Sequence, residues 1–131
     1  MTFLEKWFEE VWNKRREDAI DEMALPEAKT YGLAHVDGSQ VSGREAFKDF
    51  HRQFCSSFTD IHVEVTHSLS EGDLTMARCV VSGVHSGDGL GIPPTGRKVE
   101  LSGMCLARIE NEKLAEAWNN FDLEALYRQL Q

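Results

Sequence analysis

The chain lacks the features that mark several large functional classes. Its three cysteines, Cys55, Cys79 and Cys105, are odd in number, far apart and set among apolar neighbours. That suits reduced buried thiols and argues against a disulfide framework or a zinc site. No H-x-x-x-H pair or carboxylate cluster suggests a metal. No run approaches the roughly 18 uninterrupted apolar residues of a membrane-crossing helix. Basic residues number 14 against 22 acidic, a formal charge of −8, and no basic run exceeds Lys14-Arg15-Arg16. A phosphate backbone is repelled by that balance, so neither nucleic acid nor a membrane is expected as a partner. Gly87 to Gly96 lacks G-x-x-x-x-G-K and opens no helix, so it is no phosphate loop. Linkers, repeats and low-complexity segments are missing too, and 131 residues fit one domain, 1–131. The first ten residues carry no basic region followed by an apolar run, so no secretory signal is visible and a cytoplasmic location is expected.

What the chain has is an ordinary globular balance, 41% hydrophobic and 27% charged, ordered in two halves. Phe3, Leu4, Trp7, Phe8, Val11 and Trp12 recur at spacings of three and four, which predicts a helix with one apolar stripe. Ala19, Ile20, Met23 and Ala24 predict a second short helix that stops before Pro26, and 27–41 reads as irregular. Ser42 with Glu45 three residues later predicts a capping box, opening a helix that buries Phe47, Phe50 and Phe54. From Asp60 the period changes to two. Strands are expected at about 60–67, 74–85, 98–108 and 114–122, with the last two joined around Glu110-Asn111-Glu112 and a short helix over 123–130. Helices first and antiparallel strands after predict an α+β domain, with the helices on one face of a curved sheet.

The last strand carries polar groups at alternate positions, Glu116, Trp118, Asn120 and Asp122, where a core strand would be apolar. If the hairpin pairs symmetrically about Asn111, that set shares a face with Arg108, Leu106, Met104 and Ser102. Met104, Leu106 and Trp118 would then surround Asp122 with apolar surface. A carboxylate so placed loses hydration and becomes a usable acid or base near neutral pH. The alternative is that Asp122 caps the terminal helix. Arg108 and Glu116 read as an ion pair fixing the pocket wall. The Gly/Pro-rich loop reads as a mobile flap, with Ile92 and Pro93 over the ligand. His35 and His85 could donate to a developing enolate or merely satisfy backbone carbonyls.

Several pieces together resemble one family. They are V-W-N at 11–13, His35, G-R-E-A-F at 43–47, F-x-D at 58–60, E-G-D at 71–73, G-V-H-S-G at 83–87, I-P-P-T-G-R at 92–97 and E-x-W-x-x-x-D at 116–122. The loop and the E-x-W-x-x-x-D strand are the specific ones. The chain is similar to the SnoaL-like polyketide cyclases, also called ester cyclases, of the nuclear-transport-factor-2-like superfamily. The resemblance implies a cone-shaped, cystatin-like α+β barrel in which a curved antiparallel sheet wraps around the N-terminal helices and leaves one deep apolar cavity. It implies a homodimer or larger assembly, with Val81, Val99 and Leu101 as the outward apolar patch, and no metal or organic cofactor. It also makes Asp122 the general acid/base of an intramolecular ring closure, with His35 or His85 assisting. The pocket then comprises Trp118, Asn120, Met104, Leu106, Ile92, Glu116 and Arg108. Two readings of function follow: a cofactor-independent cyclase or isomerase acting on a hydrophobic carbonyl compound, or a ligand-binding protein of the same fold without turnover. Dehydratase and hydrolase variants stand behind these.

Overall fold

The computed structural model describes residues 1–35 and 37–131. The N-terminal helix α1 (Phe3–Trp7) opens with a reciprocal cap. Thr2 Oγ1 accepts from the Glu5 backbone at 3.2 Å, and the Thr2 backbone donates to Glu5 Oε1 at 3.0 Å. The helix then widens into a π-helical turn, Phe8–Asn13. The Asn13 amide closes that turn against the sheet as a peptide group would. It donates to the Val63 carbonyl at 3.1 Å and accepts from the Val63 N–H at 2.7 Å. Leu4, Trp7, Phe8 and Val11 are buried on the face this produces.

Helix α2 (Glu17–Met23) passes directly into strand β1 (Ala24–Tyr31). The expected irregular stretch is therefore a strand as far as Tyr31. Pro26 obscured it, yet proline is tolerated on an edge strand, and β1 is an edge. Only Ala24, Ala28 and Thr30 of β1 are buried, and their side chains are too small to announce a core strand. Helix α3 (Gly43–Ser57) begins at the expected place, but Ser42 makes no side-chain cap. Glu45 turns to Lys48 instead, at 3.5 Å. The capping box belongs to Thr2 and Glu5.

Strands β2 (Phe58–Glu71), β3 (Leu74–His85), β4 (Lys98–Glu110) and β5 (Lys113–Phe121) pair antiparallel, and β1 joins β5 in parallel, giving the order β1-β5-β4-β3-β2. The sheet is curved but does not close. Helix α4 (Leu123–Gln129) ends the chain. The β4–β5 turn has two residues, Asn111 and Glu112, with φ of 51° and 65°, the mirror-image turn that matches strand twist. A shift between Arg108 and Ile109 then sets Arg108 opposite Glu116, Leu106 opposite Trp118 and Met104 opposite Asn120. The pairing is displaced by two residues from symmetry about Asn111, so the expected faces are kept and the opposed partners change.

Which face meets the helices is the decisive correction. Cys105, Ala107, Ala117 and Asn119 are buried beneath the helices, whereas Met104 is 46% and Leu106 40% exposed. The set expected to line a pocket lies on the outside. Val99 and Leu101, expected outside, are buried, and Val81 lines the interior. The outer face has its own apolar row. Leu69, Met76, Leu106, Trp118 and Tyr31 are opposed in register across all five strands, ending in a Tyr31–Trp118 ring stack at 5.9 Å. Among the described residues no helix is long and apolar enough to cross a membrane.

Candidate functional site

A cavity of about 100 Å³, measured as space open to the centre of a water molecule, lies between the helices and the inner face of the sheet. The π-helical turn brings Phe8 and Trp12 to it, α3 brings Phe47, Phe50 and Phe54, and α4 brings Leu123 and Leu126. The i, i+3, i+4 spacing on α3 explains why three phenylalanines reach one space. Trp12 stands edge-on to all three, at ring distances of 6.1 to 6.3 Å. Phe121 lies across Gly103, where a Cβ would come within 2.4 Å of its ring. Glycine at 103 thus lets that ring form part of the wall.

Two lining residues other than glycine are not apolar, Ser82 and Asn119. Ser82 sits between the inward-facing Val81 and Gly83, so its side chain alternates away from the helices. Asn119 points in, 8% exposed. Its amide nitrogen donates to the Tyr31 carbonyl at 3.0 Å; an oxygen cannot face a carbonyl there, so the amide orientation follows. One N–H and the Oδ1 acceptor remain for a ligand. Gly32 allows this contact, because a Cβ there would come within 1.9 Å of the Asn119 backbone oxygen.

The residues expected to carry the chemistry are scattered. Asp122 is exposed and accepts from the Ala125 N–H at 3.0 Å, capping α4; it does not line the cavity. Trp118, Asn120, Met104, Leu106, Glu116 and Arg108 belong to the outer face. The expected ion pair does form there, with Arg108 Nε donating to Glu116 Oε1 at 3.1 Å and the Tyr31 hydroxyl to Oε2 at 3.3 Å. His35 starts a tight turn, with its N–H donating to the Ser39 carbonyl at 2.8 Å, and it lies off the cavity. His85 is fully buried. Its Nδ1 accepts from the Thr95 N–H at 3.2 Å, which puts the proton on Nε2, a buried donor without a partner among the described residues. It sits beside Phe58, ring to ring at 5.4 Å, outside the lining.

Ile92 packs in a second apolar cluster with Leu90, Val99 and Leu130 rather than over the cavity. The loop holding it is pinned at its start. Ser86 and Gly87 both donate to the Ser57 carbonyl at 3.0 Å, and a Cβ on Gly87 would meet the Ser56 carbonyl at 1.9 Å. These contacts hold its first half onto the end of α3, where a mobile flap was expected.

One other juxtaposition looks catalytic. Cys55 Sγ lies 3.6 Å from His51 Nε2. That nitrogen also lies 2.7 Å from the Val11 carbonyl, to which it must donate, so it cannot take a proton from the thiol. Burial pushes the Cys55 thiol up and the His51 imidazole down, which further opposes a thiolate–imidazolium pair. Burial also pushes Cys79 and Cys105 up to about 12. Among the described residues, no three His, Cys, Asp or Glu side chains converge as a metal would require.

The residues missed from sequence are Asn119 and the helix aromatics. Asn119 is one step out of phase with the polar set that drew attention. Its own phase holds Ala115 and Ala117, the small residues of a strand that something large packs against.

Comparison with known proteins agrees with this architecture. The family model of the SnoaL-like polyketide cyclases matches residues 2–130. TsrD from Streptomyces laurentii has a solved structure that superposes with a TM-score of 0.81 at 27% identity, over 98% of this chain and 91% of that one. IdmH from Streptomyces antibioticus, a candidate polyketide cyclase, matches with a TM-score of 0.77 at 27% identity, over 94% and 92%. A protein from Catenulispora acidiphila with a ketosteroid isomerase-like fold, solved with trimethylamine, matches at 17% identity and a TM-score of 0.75, over 97% and 90%. No curated protein sequence matches the chain.

Proposed function

The chain belongs to the SnoaL-like polyketide cyclase family, and from that premise we propose that it binds a small hydrophobic carbonyl compound in the aromatic cavity and promotes its ring closure by holding it folded. The observation that carries this reading is the lining itself, an apolar and largely aromatic wall broken by the inward amide of Asn119. Aromatic faces bind a flat or folded carbon chain, and the free N–H of Asn119 polarises a carbonyl or steadies the enolate formed from it. Confinement in a reactive fold is itself a source of rate, because it removes the entropy of bringing the two ends together. The enclosed volume is smaller than the roughly 150 Å³ cavity that takes benzene in an engineered protein. About one ring therefore enters, and a longer substrate extends through the mouth.

A second reading, binding without turnover, is favoured by one specific observation: no carboxylate, imidazole, thiol or amine is among the lining residues. Incubation with a short poly-β-keto ester, following ring closure by absorbance and binding by tryptophan fluorescence, separates the two. Closure faster than in buffer, and lost in a folded Asn119→Leu variant, supports catalysis. Binding without acceleration supports the second reading, and no binding overturns both.

A further inference from the structure

Behind Asn119 lies a second chamber of about 30 Å³ that shares Trp7, Phe47 and Asn119 with the main cavity as common walls. Its character differs. Thr30 and Arg44 line it along with small and apolar groups. Thr30 is 8% exposed, on the inner face of β1. Arg44 Nη1 donates to the Ala24 carbonyl at 3.3 Å, while its Nε is buried and makes no hydrogen bond among the described residues. That Nε lies 3.3 Å from Asp21 Oδ1 as an ion pair without hydrogen-bond geometry. A buried donor left unmatched costs stability, so such a group normally meets an acceptor.

The chamber's size limits what that acceptor can be. A space of about 30 Å³ admits one water-sized atom and no ring. Its charge limits the acceptor further. Arg44 already lies within 3.3 Å of Asp21 and 3.8 Å of Glu45, so the guanidinium is balanced and gains little from a second anion. An uncharged oxygen accepts from it and from the Thr30 hydroxyl without bringing an unpaired charge into the interior.

We propose that this chamber is the oxygen-binding end of the ligand site, and that Thr30 and Arg44 select hydrophobic molecules bearing one neutral carbonyl or hydroxyl oxygen at the buried end. The inference rests on the reading of the main cavity as the ligand site. In the occupied state the apolar part of the ligand contacts the aromatic wall. Its oxygen passes Asn119 and displaces a water from the chamber.

The test is an NMR titration of the intact chain with acetophenone, ethylbenzene and benzoate, which share a ring and differ in the group at the buried end. Acetophenone should bind about threefold to tenfold more tightly than ethylbenzene, the worth of one neutral hydrogen bond. Benzoate should bind more weakly than acetophenone. Thr30→Val, which keeps the shape and removes the hydroxyl, should reduce the preference for the ketone while leaving ethylbenzene unchanged. Arg44→Lys, which keeps the charge and removes the Nε donor, should do the same if Thr30→Val does not fold. Equal affinity for acetophenone and ethylbenzene, or a preference untouched in a folded variant, overturns the oxygen site and leaves the cavity reading standing. Tightest binding by benzoate overturns the selection for neutral oxygen. Failure of all three to bind overturns the cavity reading, and this inference with it.

Discussion

Asp122 drew attention because a carboxylate in an apolar setting is a natural proton carrier, and the structure gives it a different surrounding. It is exposed and its Oδ1 holds the Ala125 amide. Asp122→Ala should lower the melting temperature by the equivalent of about 1 kcal/mol, while Asp122→Asn should leave it nearly unchanged, because Asn and Asp cap equally well. Thermal melts of the two variants check this. A fall in turnover for Asp122→Asn at an unchanged melting temperature would return the proton-transfer role to this residue. The residue at the cavity is its near neighbour Asn119. Asn119 was legible only through its phase. The polar alternation of Glu116, Trp118, Asn120 and Asp122 is real in the sequence, but it marks the outer face. Alternation tells that a strand has two faces, and it does not say which one the helices cover.

At the scale of elements, the π-helical turn and α3 make the aromatic wall together. His51 of α3 joins them through the Val11 carbonyl, with its ring 4.7 Å from that of Trp12. Desolvation holds its pKa below the ordinary value, opposed by the bond to Val11 and by Glu17 and assisted by Arg15 and Arg52. The unfolded chain therefore binds the proton more readily than the folded one. This contribution to stability is complete above about pH 6.5, the ordinary value, and is lost as pH falls through the lower folded value. Urea midpoints should decline between pH 7 and 5.5, and His51→Gln should flatten that decline; superimposable curves for the two proteins would show that His51 does not govern it. The periodicity of α1 and α3 was readable because large apolar residues repeat at helical spacing. Strand β1 was not, because an edge strand buries only alternate residues and here those are Ala24, Ala28 and Thr30. The Ser42–Glu45 pattern predicted a cap that Thr2 and Glu5 make instead, since Glu45 has a lysine one turn away to pair with.

The whole molecule is a curved sheet with two working faces, one over the cavity and one bearing the row from Leu69 to Tyr31. A row of that kind, five side chains in register and flanked by the Arg108–Glu116 pair, is the sort of surface that a monomer does not ordinarily leave in water. A second copy of the chain is the expected partner, since a two-fold pairing sets like rows together. Light scattering at micromolar concentration should give twice the 14.8 kDa of one chain. Leu106→Lys, in the middle of the row, should give a monomer with an unchanged circular dichroism spectrum. A wild-type monomer would overturn the assembly.

Helix-then-sheet order, the α+β class and the two-residue register of most strands follow from periodicity, because burial repeats at 3.6 residues on a helix and 2.0 on a strand wherever one face meets a core. The G-V-H-S-G, I-P-P-T-G-R and E-x-W-x-x-x-D segments carried the family, which the match over 2–130 bears out. Packing decided the rest. The side of the sheet that the helices cover, and with it the choice of Asn119 over Asp122 as the group facing the cavity, depends on how β5 is rotated beneath α1 and α3. Local sequence is nearly indifferent to that rotation, since both faces of β5 hold apolar and polar residues. The contacts that settle it, Asn13 with Val63, Phe121 over Gly103 and Gly32 against Asn119, join residues far apart in the chain or close only across a turn of the fold.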